Sequence, residues 1–271
     1  MNISSGTWLT TKKCGLKMNK SVLEFNKVTF HYRQNPEPIL NQIHLHIQEG
    51  EFVSIIGPSG SGKSTIFRLI TGLEQPSEGT ILVNGENIDN RLGSVGYMPQ
   101  QDLLMPWRTV LENASLPLEI KGIRKEEAQT RVIELLDAFG LQGQENELPG
   151  NLSGGMKQRV SFLRTILSGS NILLLDEPFS ALDAITRLTM QEWLLEQWQK
   201  WKKTILFITH DVDEALFLSD RIFVLQQVTE ASIQEVKIPL GRPRKLRDLS
   251  KAEIVMLKEQ LIDQLRSKVS I

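Results

Sequence analysis

A glycine-rich segment at residues 57–64 constrains the fold of this chain more than any other feature. It follows a short apolar run at residues 52–56, which predicts a buried central strand, and it precedes residues 65–73, which have a helical pattern. Glycines let the backbone wrap closely around an anion, and the dipole of the following helix adds to the attraction. A glycine, four residues and then Gly-Lys-Ser is the spacing of a phosphate-binding loop. The alternative, an accidental Gly/Ser-rich turn, is disfavoured by the position between strand and helix.

Two side chains of this loop carry chemistry. Lys63 should reach the β and γ phosphates of a nucleotide, and the Ser64 hydroxyl should ligate Mg²⁺. The sequence therefore predicts ATP and Mg²⁺ as cofactors. The predicted nucleotide contacts in this region are Gly57, Pro58, Ser59, Gly60, Ser61, Gly62, Lys63, Ser64 and Thr65.

Two carboxylates follow a second apolar strand, which begins at Ile172. Asp176 and Glu177 should emerge at the C-terminal edge of a sheet, where doubly wound folds place their sites. Asp176 can hold Mg²⁺ directly or through water, and Glu177 is free to polarise an attacking water. Taken alone, such a strand end is equally well a solvated loop. Together with Lys63 it indicates nucleotide hydrolysis.

A third segment, Leu-Ser-Gly-Gly-Met at residues 152–156, precedes a helix predicted at about 156–168. Ser153, Gly154 and Gly155 form a second anion-binding nest at a helix N-terminus. One chain with two phosphate cradles but one lysine-bearing loop suggests a dimer in which the cradles face each other. A simple helix cap is the alternative, and it is the better interpretation of this segment taken by itself.

The order of strand and helix signals defines the fold class. Strands alternate with helices, which predicts an α/β P-loop nucleotide hydrolase with a mainly parallel central sheet, an antiparallel β portion and an inserted helical subdomain at about 101–168. We expect a disordered tail at 1–20, an ATPase domain at 21–247 and a short helical segment at 248–271. One predicted helical stripe, which Gly140 should cap, comprises Ala128, Val132, Leu135, Leu136 and Phe139. Trp193, Trp198 and Trp201 are expected to pack in the core.

Composition limits the classes of partner and compartment. The chain has 271 residues, of which 23% are charged, and a formal net charge of −1, which argues against a nucleic-acid partner. The single cysteine, Cys14, fits a reducing compartment. Apolar runs of transmembrane length and a signal-peptide pattern are absent from the sequence, which predicts a protein that is soluble when isolated.

From about Val22 to Arg244 the chain resembles the nucleotide-binding subunits of ABC transporters. The resemblance implies that Ser153, Gly154 and Gly155 contact the γ-phosphate held by an opposite subunit. Met156 replaces the usual glutamine, which is conservative because the cradle is mainly backbone and Ser153. Further roles implied by the resemblance are adenine stacking by Tyr32, sensing of Mg²⁺ and water by Gln100, a dimer-interface loop at Asp183 and a γ-phosphate contact by His210. Taken singly, Tyr32, Gln100 and His210 are equally well an ordinary strand aromatic, a surface amide and a satisfied histidine.

Residues 97–107, 209–216 and 242–247 look like the nitrate, sulfonate and taurine importer branch, which includes bicarbonate and thiamine-precursor systems. The resemblance implies a motor that powers import of a small anion or organic nutrient, as a homodimer on a separate membrane permease, with a substrate-binding protein as an indirect partner. It would lie at the cytoplasmic face of the membrane. We also expect residues 100–108 to form part of the groove that receives a permease helix, with Leu104, Met105 and Trp107 as the apolar surface. Packing of these side chains within the helical subdomain, Trp107 above all, is the alternative. The alternative is an ABC-type ATPase of DNA repair or translation.

Overall fold

The computed structural model describes residues 20–33, 37–180, 182–225 and 233–266. The tail predicted at 1–20 lies, except for residue 20, outside the described residues. Strands are β1 (Ser21–Phe30), β2 (Leu40–Gln48), β3 (Phe52–Ile56), β4 (Glu78–Val83), β5 (Glu86–Asn87), β6 (Gly96–Met98), β7 (Ile172–Asp176), β8 (Thr204–Ile208), β9 (Arg221–Leu225) and β10 (Ile233–Lys237). Helices are α1 (Lys63–Thr71), α2 (Val110–Ile120), α3 (Lys125–Leu136), α4 (Gly154–Leu167), α5 (Ala184–Trp201), α6 (Val212–Leu218) and α7 (Ala252–Arg266).

The strands form two sheets. The central sheet has the order β10-β9-β3-β8-β7-β6, in which β10 pairs antiparallel with β9 and the other neighbours are parallel. The second sheet, β2-β1-β4-β5, is antiparallel throughout. The predicted α/β class is therefore confirmed, with both the parallel and the antiparallel portions in place.

Central strands are buried on both faces, which is why they appear in the sequence as continuous apolar runs. Alternate residues of one strand enter different cores. Ile172 and Leu174 pack toward the antiparallel sheet and α1, whereas Leu173 and Leu175 pack toward α2, α4 and α5. A third core joins α6, α7 and the outer strands. The carboxyl ends of the parallel strands are thereby fixed along one edge of the sheet.

Helices α2, α3 and α4 lie between β6 and β7 along the chain. The predicted stripe is confirmed, since Ala128, Val132, Leu136 and Phe139 are buried and Leu135 is half-buried. Gly140 does adopt a positive φ of 60°, but α3 ends at Leu136 and the glycine closes a further turn. The division of the chain into domains stays a prediction. Among the described residues, no helix is long and apolar enough to cross a membrane.

The three tryptophans of α5 are half-buried against the core, as expected. Trp193 donates its indole N–H to the Ala138 carbonyl at 2.8 Å, and Trp201 stacks on Phe139 with ring centroids 5.8 Å apart.

The expectation that Leu104 contributes to an apolar surface for a permease helix is wrong. Its side chain is only 9% exposed and belongs to the core beneath α2, while Trp107 is 74% exposed.

Candidate functional site

The loop between β3 and α1 has a backbone path that only glycine permits at key positions. A Cβ on Gly57 would lie 2.6 Å from the Leu225 carbonyl oxygen, and Gly62 has a φ of 95°. Gly62 is also the N-cap of α1, so the helix begins at Lys63 rather than at residue 65. The loop therefore turns directly into a helix N-terminus, where backbone N–H groups favour an anion.

Lys63 lies inside this loop and is 8% exposed. Its Nζ donates to the carbonyl oxygens of Gly57 and Pro58 at 2.8 and 2.9 Å. Burial lowers the pKa of Lys63, although the nearby charges of Glu177 and Asp176 oppose this shift. The Ser61 hydroxyl oxygen is buried without a hydrogen-bond partner. An unpaired buried hydroxyl is costly, so the loop fits a ligand rich in oxygen acceptors, such as a phosphate chain.

Asp176 ends β7 and is 6% exposed. Burial raises the pKa of its carboxyl, and the charge of Glu177 adds to this, while hydrogen bonds from Ser64 and Tyr97 and the charge of Lys63 oppose it. The structure thus brings together Ser64 and Asp176, two of the three residues expected to contact Mg²⁺. A hydroxyl beside a carboxylate is a donor set that suits Mg²⁺.

Glu177 is the centre of a three-residue cluster. Gln100 donates its Nε2 to Glu177 Oε2 at 2.9 Å, and His210 Nδ1 lies 3.5 Å from the same oxygen. Glu177 has a positive φ of 46°, which a residue other than glycine rarely adopts, and its N–H donates to the Ile208 carbonyl at 3.0 Å. With this backbone conformation, Glu177 lines the same cavity as the loop. The hydrogen bond of the Gln100 side chain is therefore made with Glu177, not with Ser64 or Asp176.

The loop, Gln100, Glu177 and His210 line one cavity of ≈ 1000 Å³. Tyr32 lines the same cavity, and its hydroxyl lies 3.4 Å from Thr65 Oγ1. Five further lining residues were missed by sequence reasoning: Ile39, Val212, Ile262, Leu265 and Arg266. Tyr97 was missed as well, because nothing in its local pattern indicates that β6 pairs with β7 and brings it to Asp176.

The second predicted cradle lies apart from this cavity. Ser153 caps α4, and its hydroxyl accepts from the Met156 N–H at 3.3 Å. A Cβ on Gly155 would lie 3.3 Å from Thr186 Cγ2, so the glycine allows close packing against α5. Asp183 caps α5 by accepting from the N–H groups of Ile185 and Thr186 at 3.1 Å each, and hydrogen bonds from Thr186 are the main cause that lowers its pKa. Within one chain, Ser153, Gly154, Gly155 and Asp183 do not line the cavity around Lys63.

Comparisons with known proteins agree with this geometry. The family model described as ABC transporter matches residues 40–180. The formylaminopyrimidine import ATP-binding protein ThiZ of Halalkalibacterium halodurans is 46% identical over 87% of this chain and 92% of its own. The aliphatic sulfonates import ATP-binding protein SsuB 1 of Rhodococcus jostii is 43% identical over 86% and 90%, and the bicarbonate transport ATP-binding protein CmpD of Synechocystis is 41% identical over 78% and 76%.

A solved structure of an ATP-binding cassette is also similar to this chain. The ATP-binding cassette MJ0796, a dimer bound to ADP and Pi, superposes with a TM-score of 0.71 at 33% identity, covering 81% of this chain and 100% of that one. The chain therefore belongs to the ABC transporter family, and it is an ATP-hydrolysing cassette. More particularly, it is the motor subunit of an importer. The alternatives in DNA repair and translation are not favoured by these relatives.

Proposed function

We propose that this ATPase drives uptake of a small anion or organic nutrient through a separate membrane permease. The observation that carries the proposal is the set of relatives, whose names specify formylaminopyrimidine, aliphatic sulfonates and bicarbonate. These cargoes share small size and, for two of them, negative charge. The proposed location is the cytoplasmic face of the cell membrane, where the chain is held through the permease, with a substrate-binding protein as an indirect partner.

Each site residue has a proposed role in hydrolysis. The loop backbone and Lys63 hold the phosphates, and Ser64 and Asp176 would hold Mg²⁺, which neutralises charge on the phosphate oxygens. Glu177 accepts the proton of the attacking water, since it lines the same cavity as the phosphate-binding loop. Gln100 and His210 orient that carboxylate through one oxygen. Tyr32 contacts the adenine ring of ATP.

The proposed permease contact lies next to Gln100. Leu103 is 59% exposed, and Trp107 is the most exposed apolar residue of this segment. The backbone at Leu103 is nevertheless held in place, since Arg164 of α4 donates to the carbonyl oxygens of Asp102 and Leu103 at 2.6 and 2.8 Å. An apolar surface on a rigid support suits a partner helix. Because Gln100 contacts Glu177, a change at the nucleotide would reach this surface.

Uptake measurements in a deletion strain test both the cargo class and the permease contact. We expect loss of uptake of one of three labelled compounds: bicarbonate, an aliphatic sulfonate or formylaminopyrimidine. The Leu103→Ser/Trp107→Ser double variant should restore uptake about 10-fold less well than the wild type, while its basal hydrolysis stays within about 2-fold. Ile133→Ser, which removes an exposed apolar side chain of α3, is the matched control and should restore uptake fully.

Two results would contradict the proposal. Unchanged uptake of all three compounds after deletion of the gene would contradict the proposed class of cargo. Full restoration by the double variant would move the permease contact away from residues 103–107.

A further inference from the structure

The C-terminal helix α7 reaches the nucleotide cavity, although it lies outside the segment that the family model matches. Ile262, Leu265 and Arg266, all on its last turns, line the cavity together with the phosphate-binding loop. Ile262 and Leu265 are half-buried, so each presents part of an aliphatic side chain to the cavity while the rest packs on the protein.

Helix α7 is fixed in this position by contacts with α6. Ile254 and Leu261, seven residues apart on one face, are 1% exposed and share a core with Val212 and its neighbours in α6. Lys258 Nζ also lies 2.7 Å from Asp213 Oδ2. Since α6 begins directly after His210 and Asp211, α7 is packed against the element that follows the catalytic cluster.

The cavity is chemically divided. The loop end carries backbone N–H groups, Lys63 and hydroxyls, which suit phosphates. The apolar side chains come from two other places: Tyr32 and Ile39 near the antiparallel sheet, and Val212, Ile262 and Leu265 at α6 and α7. A ligand with a phosphate chain at the loop must place its other end, a flat and weakly polar ring, among these apolar side chains.

We propose that α7 forms a second wall of the base-binding region, in which Ile262 and Leu265 contact the adenine ring of ATP from the side away from the antiparallel sheet. The inference rests on the nucleotide site described above and extends it to a helix that has no assigned role. Burial of apolar surface against the base should increase affinity for the nucleoside part of ATP without affecting the phosphate contacts.

Binding of two probes to two matched variants tests this inference. The Ile262→Ser/Leu265→Ser variant should bind Mg-ATP about 5- to 20-fold more weakly, since two aliphatic contacts with the base are removed. Its affinity for inorganic tripolyphosphate, which has no base, should stay unchanged. The Val255→Ser/Met256→Ser control removes two exposed apolar side chains of the same helix that do not line the cavity, and it should bind both probes as the wild type does.

Unchanged ATP affinity in the Ile262→Ser/Leu265→Ser variant would overturn the proposal, and so would an equal loss for ATP and tripolyphosphate. Photolabelling of the wild type with 8-azido-ATP avoids any effect of substitution on folding. We expect label in the peptide 259–266, and label confined to other peptides would also overturn the proposal. Lys63→Ala tests the phosphate-binding loop independently of α7, because that variant should lose affinity for both Mg-ATP and tripolyphosphate. Retention of both by Lys63→Ala would instead contradict the phosphate-binding role of the loop.

Discussion

At the scale of single residues, Tyr97 contacts Asp176, one of the residues proposed to hold Mg²⁺. Its hydroxyl hydrogen-bonds Asp176, and burial raises the pKa of Tyr97 to about 12, with the charge of Asp176 adding to the shift. The phenol therefore stays protonated at neutral pH and acts as a donor to the carboxylate. A donor of this kind fixes the orientation of a metal ligand without touching the metal.

Tyr97→Phe should raise the Mg²⁺ concentration required for half-maximal hydrolysis by about 3- to 10-fold. The ring would keep its edge-to-face packing on Phe67, where the centroids are 6.2 Å apart, so the free energy of unfolding should change by only about 1 kcal/mol. The measurement is a Mg²⁺ titration of hydrolysis beside ATP binding without metal. An unchanged Mg²⁺ requirement would show that the hydroxyl does not position Asp176.

At the scale of elements, the segment at residues 101–109 lacks regular structure but is held by side chains from two helices. Asn113 in α2 is fully buried and accepts from the Met105 N–H at 2.8 Å. Its Nδ2 donates to the carbonyl oxygens of Met105, Arg108 and Thr109. With Arg164 on the other side, the segment is rigid because its polar backbone groups are paired.

Asn113→Ala should lower the free energy of unfolding by about 2–3 kcal/mol, since several backbone groups would lose their partners in a buried place. The control is Asn151→Ala, whose side chain is exposed and donates to Glu147 Oε2, and it should cost about 0.5 kcal/mol or less. Urea unfolding of both variants measures the difference. Equal costs would mean that Asn113 does not hold the segment.

At the scale of the whole molecule, the two predicted cradles lie apart within one chain. Ser153 and Gly155 lie outside the cavity that holds Lys63, so both cradles can contact one triphosphate only if they come from different chains. The structure of MJ0796 bound to ADP and Pi is dimeric. We expect a homodimer that closes on two shared ATP molecules, each of which stabilises the closed state by its binding free energy.

Glu177→Gln should lower turnover by about 10²–10⁴-fold while ATP binding and the dimer persist, because the variant loses only the carboxylate that accepts a proton. Lys63→Ala should lose nucleotide affinity and, with it, the dimer. Glu192→Gln on the exposed face of α5 serves as the carboxylate control. Size-exclusion chromatography with Mg-ATP measures the assembly, beside phosphate release for turnover.

A monomeric Glu177→Gln protein that still binds ATP tightly would refute the shared nucleotide. Normal hydrolysis by that variant would remove Glu177 as the proton acceptor and shift the role toward His210.

The sequence by itself determined the features that depend on local order along the chain. Glycine spacing in the loop, the continuous apolar runs of β3 and β7, and the stripe through Val132 and Leu136 each follow from the geometry of one element. The carboxylates of Asp176 and Glu177 at the end of β7 could be assigned to the site only together with the phosphate-binding loop, because such a strand end taken alone could equally be a solvated loop. Fold class and the loop chemistry therefore needed no tertiary information.

Only the tertiary structure decided which residues meet across distant parts of the chain. Gln100 and Glu177 are 77 positions apart, and their contact depends on the order of strands in the sheet. Periodicity shows that a side chain is buried but not against what, which is why Tyr97 and the inner face of α7 gave no signal. Leu103 and Leu104 are adjacent and equally apolar, yet one is exposed and the other is in the core. Their difference follows from the packing of α2 beside them, a property that no single element contains.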